Sequence, residues 1–117
     1  MIVGLFGFLR RSNKPDLDAM VLEHLKKAGS DLSKPHRIDF FLYLRSQRAA
    51  EEAAQRVKGE GFDAEVTPPV KSSDWLCHAT KLMVPDLGAL QEIRSDFKRL
   101  AASLGGDYDG WGTEVEK

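Results

Sequence analysis

The chain has 117 residues, 42% of them hydrophobic and 30% charged, with a formal net charge of −1. That length makes one domain, able to bury roughly two thirds of the surface its unfolded form exposes. The balanced charge excludes bulk attraction to nucleic acid or anionic lipid. The halves differ nonetheless: residues 1–58 carry 11 basic against 7 acidic side chains (+4), and residues 59–117 carry 6 against 11 (−5). Cys77 is the single cysteine, so no intrachain disulfide forms and a reducing cytoplasm is the expected compartment.

Residues 1–15 read as a segment apart from a single domain spanning 16–117. Met1 to Leu9 is apolar or glycine throughout, and Arg10, Arg11 and Lys14 follow it. A signal peptide carries its positive charge ahead of the apolar run, and a bilayer span needs about 20 residues. The segment is expected to pack on the domain or on a neighbouring chain. Shallow membrane contact by residues 1–9 is the less favoured reading.

The first helix is predicted over Asp16–Ala28, entered through Pro15, striped by Leu17, Val21, Leu25 and Ala28, and stopped by Gly29. Arg37–Leu44, rich in aromatic and branched residues, follows as a strand. Ser46 is the expected N-cap of a second helix, Gln47–Lys58, whose apolar face of Ala49, Ala50, Ala53 and Val57 is small enough for close approach. Gly59 and Gly61 end it, and Phe62–Thr67 makes a short strand. A Pro- and Ser-rich loop leads to a third strand, Trp75–Val84. Pro85-Asp86 opens a third helix striped by Leu90, Ile93, Phe97, Leu100 and Leu104, the strongest periodicity in the chain. Gly105-Gly106 stops it before a closing strand in which Tyr108 and Trp111 sit among glycines.

After the first helix the order β-α-β-β-α-β predicts an α+β ferredoxin-like split βαβ fold, a four-stranded antiparallel sheet with two helices on one face. Its two central strands must be the most apolar, and Ile38–Leu44 and Trp75–Val84 are. The other two carry Pro, Gly and acids, as edges do. Alternation along the first strand places Ile38, Phe40, Leu42 and Leu44 under the helices and Asp39, Phe41, Tyr43 and Arg45 on the open face. In the third strand both faces are apolar. Because Lys81 resists burial, the set Trp75, Cys77, Ala79, Lys81 and Met83 is assigned to the open face. Phe41, Tyr43 and Trp75, with Tyr108, Asp109 and Trp111 of the closing strand, are thus the expected partner-binding residues. Gly110 and Gly112 would let a partner backbone approach that strand. The competing expectation is that the first helix covers the face.

No catalytic or metal-binding residue is assigned, and no cofactor is expected. Cys77 and His78 point to opposite faces of a strand and cannot share a metal. His24 reads as a surface or packing residue. His36 beside Asp39 would suit an oriented base, but no nucleophile stands near them in sequence. Cys77 reads as a small buried hydrophobe.

Gly29-Ser30-Asp31-Leu32-Ser33-Lys34-Pro35-His36 running into Ile38–Tyr43, then Ala49–Ala54 and Gly61-Phe62, resembles the RraB family of ribonuclease E inhibitors. So do Trp75-Leu76-Cys77, Ala79-Thr80-Lys81, Met83-Val84-Pro85 and Gly105-Gly106-Asp107-Tyr108-Asp109-Gly110-Trp111. Ser30, Asp31, Pro35, His36, Asp39, Gly105, Gly106 and Gly110 stand out in these motifs. The resemblance covers about residues 16–115. It implies a small bacterial cytoplasmic protein of ferredoxin-like fold that acts without catalysis, binding the non-catalytic C-terminal region of ribonuclease E and altering RNA turnover.

The favoured function is therefore a regulatory protein-binding module whose partner is ribonuclease E, with self-association as a further use of the same face. The alternative is a single-stranded RNA binder stacking bases on the open-face aromatics. Asp39, Glu65 and Asp109 would repel phosphate, so no direct contact with nucleic acid is expected. A small enzyme or metabolite-binding domain is the third reading, and no polar cluster argues for it.

Overall fold

The computed structural model describes residues 2–4, as backbone, together with residues 17–70 and 72–117. The expectations for Met1, for the rest of the N-terminal segment and for the entry to the first helix lie outside the described residues. The elements in order are β1 (Ile2–Gly4), α1 (Leu17–Lys27), β2 (His36–Leu44), α2 (Gln47–Gly59), β3 (Asp63–Thr67), β4 (Trp75–Met83), α3 (Leu87–Ser103) and β5 (Asp107–Glu114). Four of the strands form the predicted antiparallel sheet in the order β5-β2-β4-β3, and β1 extends it beyond β5. The two most apolar strands, β2 and β4, are central. The closing strand is not the bare edge that was expected, because Ile2–Gly4 pairs with Gly112–Glu114.

Local chemistry sets the helix ends. Ser46 Oγ, the predicted N-cap, accepts from the Ala49 amide at 3.1 Å, and at the start of α3 Asp86 Oδ2 accepts from the Ala89 amide at 2.9 Å, so each satisfies a first-turn donor. Gly29 leaves α1 at φ +95°, a conformation that L side chains rarely adopt. Gly106 is needed for a different reason. A Cβ there would run into the Tyr43 carbonyl oxygen and the Leu44 side chain, so only glycine lets β5 begin against the end of β2.

The core lies between the sheet and the helices. Ile38, Phe40, Leu42 and Leu44 of β2 are fully buried, as are Cys77 and Ala79 of β4. The alanine face of α2, with Val57, packs over β3 and β4, while α3 packs over β5 and β2. Phe40, Phe62 and Phe97 meet with ring centroids 5.0–5.5 Å apart, two of the three contacts being edge-to-face. Such contacts add roughly 0.5–1.5 kcal/mol each to the burial of the rings. In α1, Val21 and Leu25 are buried as the stripe predicts, whereas Ala28 is exposed.

Helix α1 packs beside α3 and against β1. Asp18 in its first turn is 3% exposed and holds Arg94 of α3 at 3.0 Å, and its other oxygen accepts from the Trp111 indole N–H at 2.9 Å. All three helices thus share one side of the sheet. The first helix does not cover the opposite face.

Candidate binding surface

The face away from the helices is built by β2, β4 and β3. Pairing Asp39 with Thr80, Phe41 with His78 and Tyr43 with Leu76 puts these side chains together, since directly paired residues share a face. The next register adds Asp63, Glu65 and Thr67 opposite Thr80, His78 and Leu76. His78 is the centre of the surface. Its Nε2–H donates to Asp39 Oδ1 at 2.8 Å, and its ring stacks on Phe41 with centroids 5.2 Å apart and planes 12° from parallel. The carboxylate and the phenyl ring together fix the orientation of the imidazole. Phe41 and Tyr43 are half-buried, whereas Leu82 at the end of the row is 69% exposed. A depression of ≈ 360 Å³ runs from Tyr43 and Leu76 to Thr67, Pro68, Pro69 and Val70.

Phe41 and Tyr43 therefore stand on the expected face, but the other expected partner-binding residues do not. Trp75 pairs with Leu44 and faces the helices together with Cys77, Ala79, Lys81 and Met83. Lys81 escapes burial by snorkelling: its ammonium lies 4.8 Å from the centre of the Phe62 ring, a cation–π contact at the margin of the core. Trp111 pairs with Phe40, shares its face and is only 2% exposed. Tyr108 pairs with Leu42 and meets Phe97 edge-to-face at 5.9 Å. Its hydroxyl is buried without a hydrogen-bond partner, and burial, with the Asp18 charge nearby adding, pushes its pKa up. Between these two residues Asp109 and Gly110 stand opposite Phe41 alone, a β-bulge with Gly110 at φ +100°. The bulge leaves Asp109 buried. These three residues of β5 are parts of the fold, and Gly112, buried against β1, admits a strand of this same chain.

The Ser30–His36 motif also proves to be architecture. His36 is fully buried, its Nδ1–H donating to the Lys34 carbonyl at 2.8 Å. In the neutral ring Nε2 then accepts from the Ser30 hydroxyl at 2.6 Å, and Ser30 Oγ accepts from the Glu116 amide at 3.0 Å. The Asp31 amide donates to the Glu116 carbonyl at 2.6 Å, and Lys34 Nζ reaches the Lys117 carbonyl at 2.7 Å. Asp31 closes the loop by accepting from Ser33 through both its amide and its hydroxyl, which lowers the Asp31 pKa. Pro35 directly precedes the buried His36 at the start of β2. The motif is a clamp on the end of the chain. His36 and Asp39 consequently lie on opposite faces and share no chemistry. Cys77 is fully buried, and desolvation pushes its thiol pKa up to about 11, which keeps it protonated and inert at neutral pH. Among the described residues no group of three or more His, Cys, Asp or Glu is placed to hold a metal ion.

The model for the family described as "Regulator of ribonuclease activity B" matches residues 16–113. The chain belongs to the RraB family. A comparison with curated proteins found no match. The RraB match begins at the approach to α1 and ends within β5, so β1 lies outside it. It includes both networks described here, Asp18–Arg94–Trp111 and Asp39–His78–Phe41. Among the described residues no helix is long and apolar enough to cross a membrane.

Sequence reasoning placed the acid Glu65 on the surface but missed His78 and Leu76 there, and Asp18 and Arg94 beneath it. One signal was available for β4. An alanine-faced helix lies close to a sheet, and the small residues Cys77 and Ala79 are the ones that fit below it. Giving that fit more weight than the charge of Lys81 assigns both faces of β4 correctly.

Proposed function

We propose that this protein is a non-catalytic regulator that binds ribonuclease E in the bacterial cytoplasm and lowers its activity. Contact is made through the sheet face around Phe41, Tyr43 and His78. The observation that carries this reading is the match of residues 16–113 to regulators of ribonuclease activity. The order β5-β2-β4-β3, with α2 and α3 as the crossovers, is read as the ferredoxin-like arrangement, which leaves one face of the sheet for a partner. Support for a non-catalytic role comes from two side chains of ordinary catalytic type. Both ring nitrogens of His36 are engaged in the terminal clamp, and Cys77 is sealed in the core.

Within the enzyme, the target is its non-catalytic C-terminal region. The test is a binding titration of the full chain against that region in the presence of nuclease, run beside an RNA-cleavage assay. Saturable binding with slower cleavage is expected. Intact cleavage in the presence of saturating protein would defeat the inhibitory reading. Binding that vanishes when RNA is digested would favour the RNA-binding alternative, against which the surface carboxylates Asp39, Asp63 and Glu65 argue.

A further inference from the structure

Strand β3 ends the sheet among the described residues and pairs only with β4. A strand in that position presents a row of backbone N–H and C=O groups along its outer side, the template for one more strand. Asp63, Glu65 and Thr67 are exposed and project to the same face as His78, while Ala64 and Val66 turn toward the helices. The register puts Arg37, Asp39, Asp63, Glu65, Asp107 and Glu114 on this face, one cation among five carboxylates. Arg37 and Lys58 border the polar depression beside Asp63 and Glu65, and the apolar depression formed by Tyr43, Leu76 and Val70 lies at the other end of β3. Val70 is 87% exposed there.

These charges select the occupant. A second copy pairing antiparallel along the whole of β3 would set Glu65 against Glu65, and like charges directly opposite one another destabilise a pair. A nucleic acid would bring phosphates to the same carboxylates. A segment with Lys or Arg at alternate positions places cations beside Asp63 and Glu65 and gains cross-strand attraction where the other two meet repulsion. We propose that β3 takes an extended basic segment of the partner as an added strand, its cations beside Asp63 and Glu65 and an apolar side chain seated between Tyr43, Leu76 and Val70. The identity of the partner rests on the ribonuclease reading above; the chemistry of the segment does not.

The experiment uses the full chain and two probes. One is the C-terminal region of ribonuclease E. The other is a synthetic ten-residue peptide alternating Lys with Val and Thr, compared with its Glu counterpart. Calorimetric titration is combined with amide hydrogen exchange at residues 63–67. Expected are binding of the Lys peptide but not the Glu peptide, and slower exchange at β3 in the complex. Asp63→Lys with Glu65→Lys should weaken binding of both probes at least tenfold, and Asp63→Asn with Glu65→Gln by less, with melting near that of the parent because both sites are exposed. If the ribonuclease region fails to bind while the Lys peptide protects β3, the inference stands and the ribonuclease reading falls. Undiminished binding to the charge-reversed protein, unprotected β3 amides, a β3-dependent dimer in sedimentation, or single-stranded RNA that protects the β3 amides of the parent would each overturn it.

Discussion

Asp18 and Asp39 each gather an aromatic ring and a nitrogen donor, on opposite sides of one sheet. On the helix side Asp18 is 3% exposed and satisfies Arg94 and the Trp111 indole, tying α1, α3 and β5 together. On the other side Asp39 accepts from His78, which stacks on Phe41, and these two hydrogen-bonded side chains stay 16% and 31% exposed. The parts are alike and their surroundings are not. In the dry network the Asp18 carboxylate and the Trp111 indole N–H are buried, with Arg94, 22% exposed, at the margin, and leaving a buried group unpaired costs more than the net worth of any one contact. In the wet network water can replace either partner, so the pair adds little to stability and instead fixes an imidazole and a phenyl ring at the surface. Burial, rather than residue type, separates the part of the molecule that holds the fold from the part proposed to meet a partner.

The largest effects should therefore fall on the dry side. Asp18→Ala leaves the buried Trp111 N–H and the part-exposed Arg94 guanidinium without their acceptor, and urea unfolding should show a loss of about 3 kcal/mol. Trp111→Ala should cost a similar amount, about 3–5 kcal/mol, by emptying the largest side chain of the core. The double variant should lose less than the sum, because the two share one network. Next comes the terminal clamp: His36→Ala strands Ser30 and frees the last residues, at a cost of roughly 2–3 kcal/mol. Faster hydrogen exchange at the Glu116 amide locates that loss.

Cys77 gives a smaller, pH-dependent effect. Its thiol is raised from 9.0 to about 11 by burial. The folded state thus prefers the neutral thiol, and that contribution is whole below pH 9 and is lost as pH rises toward 11. A Cys77→Ala protein should show a flatter stability profile over that interval, and alkylation of native Cys77 at pH 8 should proceed only at the rate of unfolding. Smallest of all, His78→Ala should change stability by less than about 1 kcal/mol, while weakening the binding of the ribonuclease region. A drop as large as that of Asp18→Ala would erase the contrast between the two sides.

The sequence made the element order and the central strands legible because periodicity, caps and breakers agree along the chain: Ser46 caps α2 as expected, Pro85-Asp86 opens α3, and Gly29 stops α1. The faces of β2 were equally readable, since Phe40 and Leu42 alternate with Asp39 and Tyr43. The faces of β4 were not. Both are largely apolar, and a single lysine was allowed to decide although its long stem permits a half-buried site. Along β5 the alternation breaks at the Asp109-Gly110 bulge, a one-residue insertion with no periodic trace, so Tyr108 and Trp111 looked like surface aromatics when both face the core. The Asp18–Arg94–Trp111 network was invisible for a simpler reason: its members lie 76 and 93 positions from Asp18, and only the packed fold brings them together.

Tyr43 provides the most direct test, since it is a half-buried aromatic at the centre of the face proposed to meet the partner. The C-terminal region of ribonuclease E is titrated into Tyr43→Ala while melting is recorded on the same sample. A contact aromatic at a binding centre is worth about 2 kcal/mol, so affinity should fall roughly thirtyfold with Tm close to that of the parent. A folded Tyr43→Ala protein that binds as tightly as the parent would contradict the assignment of this face.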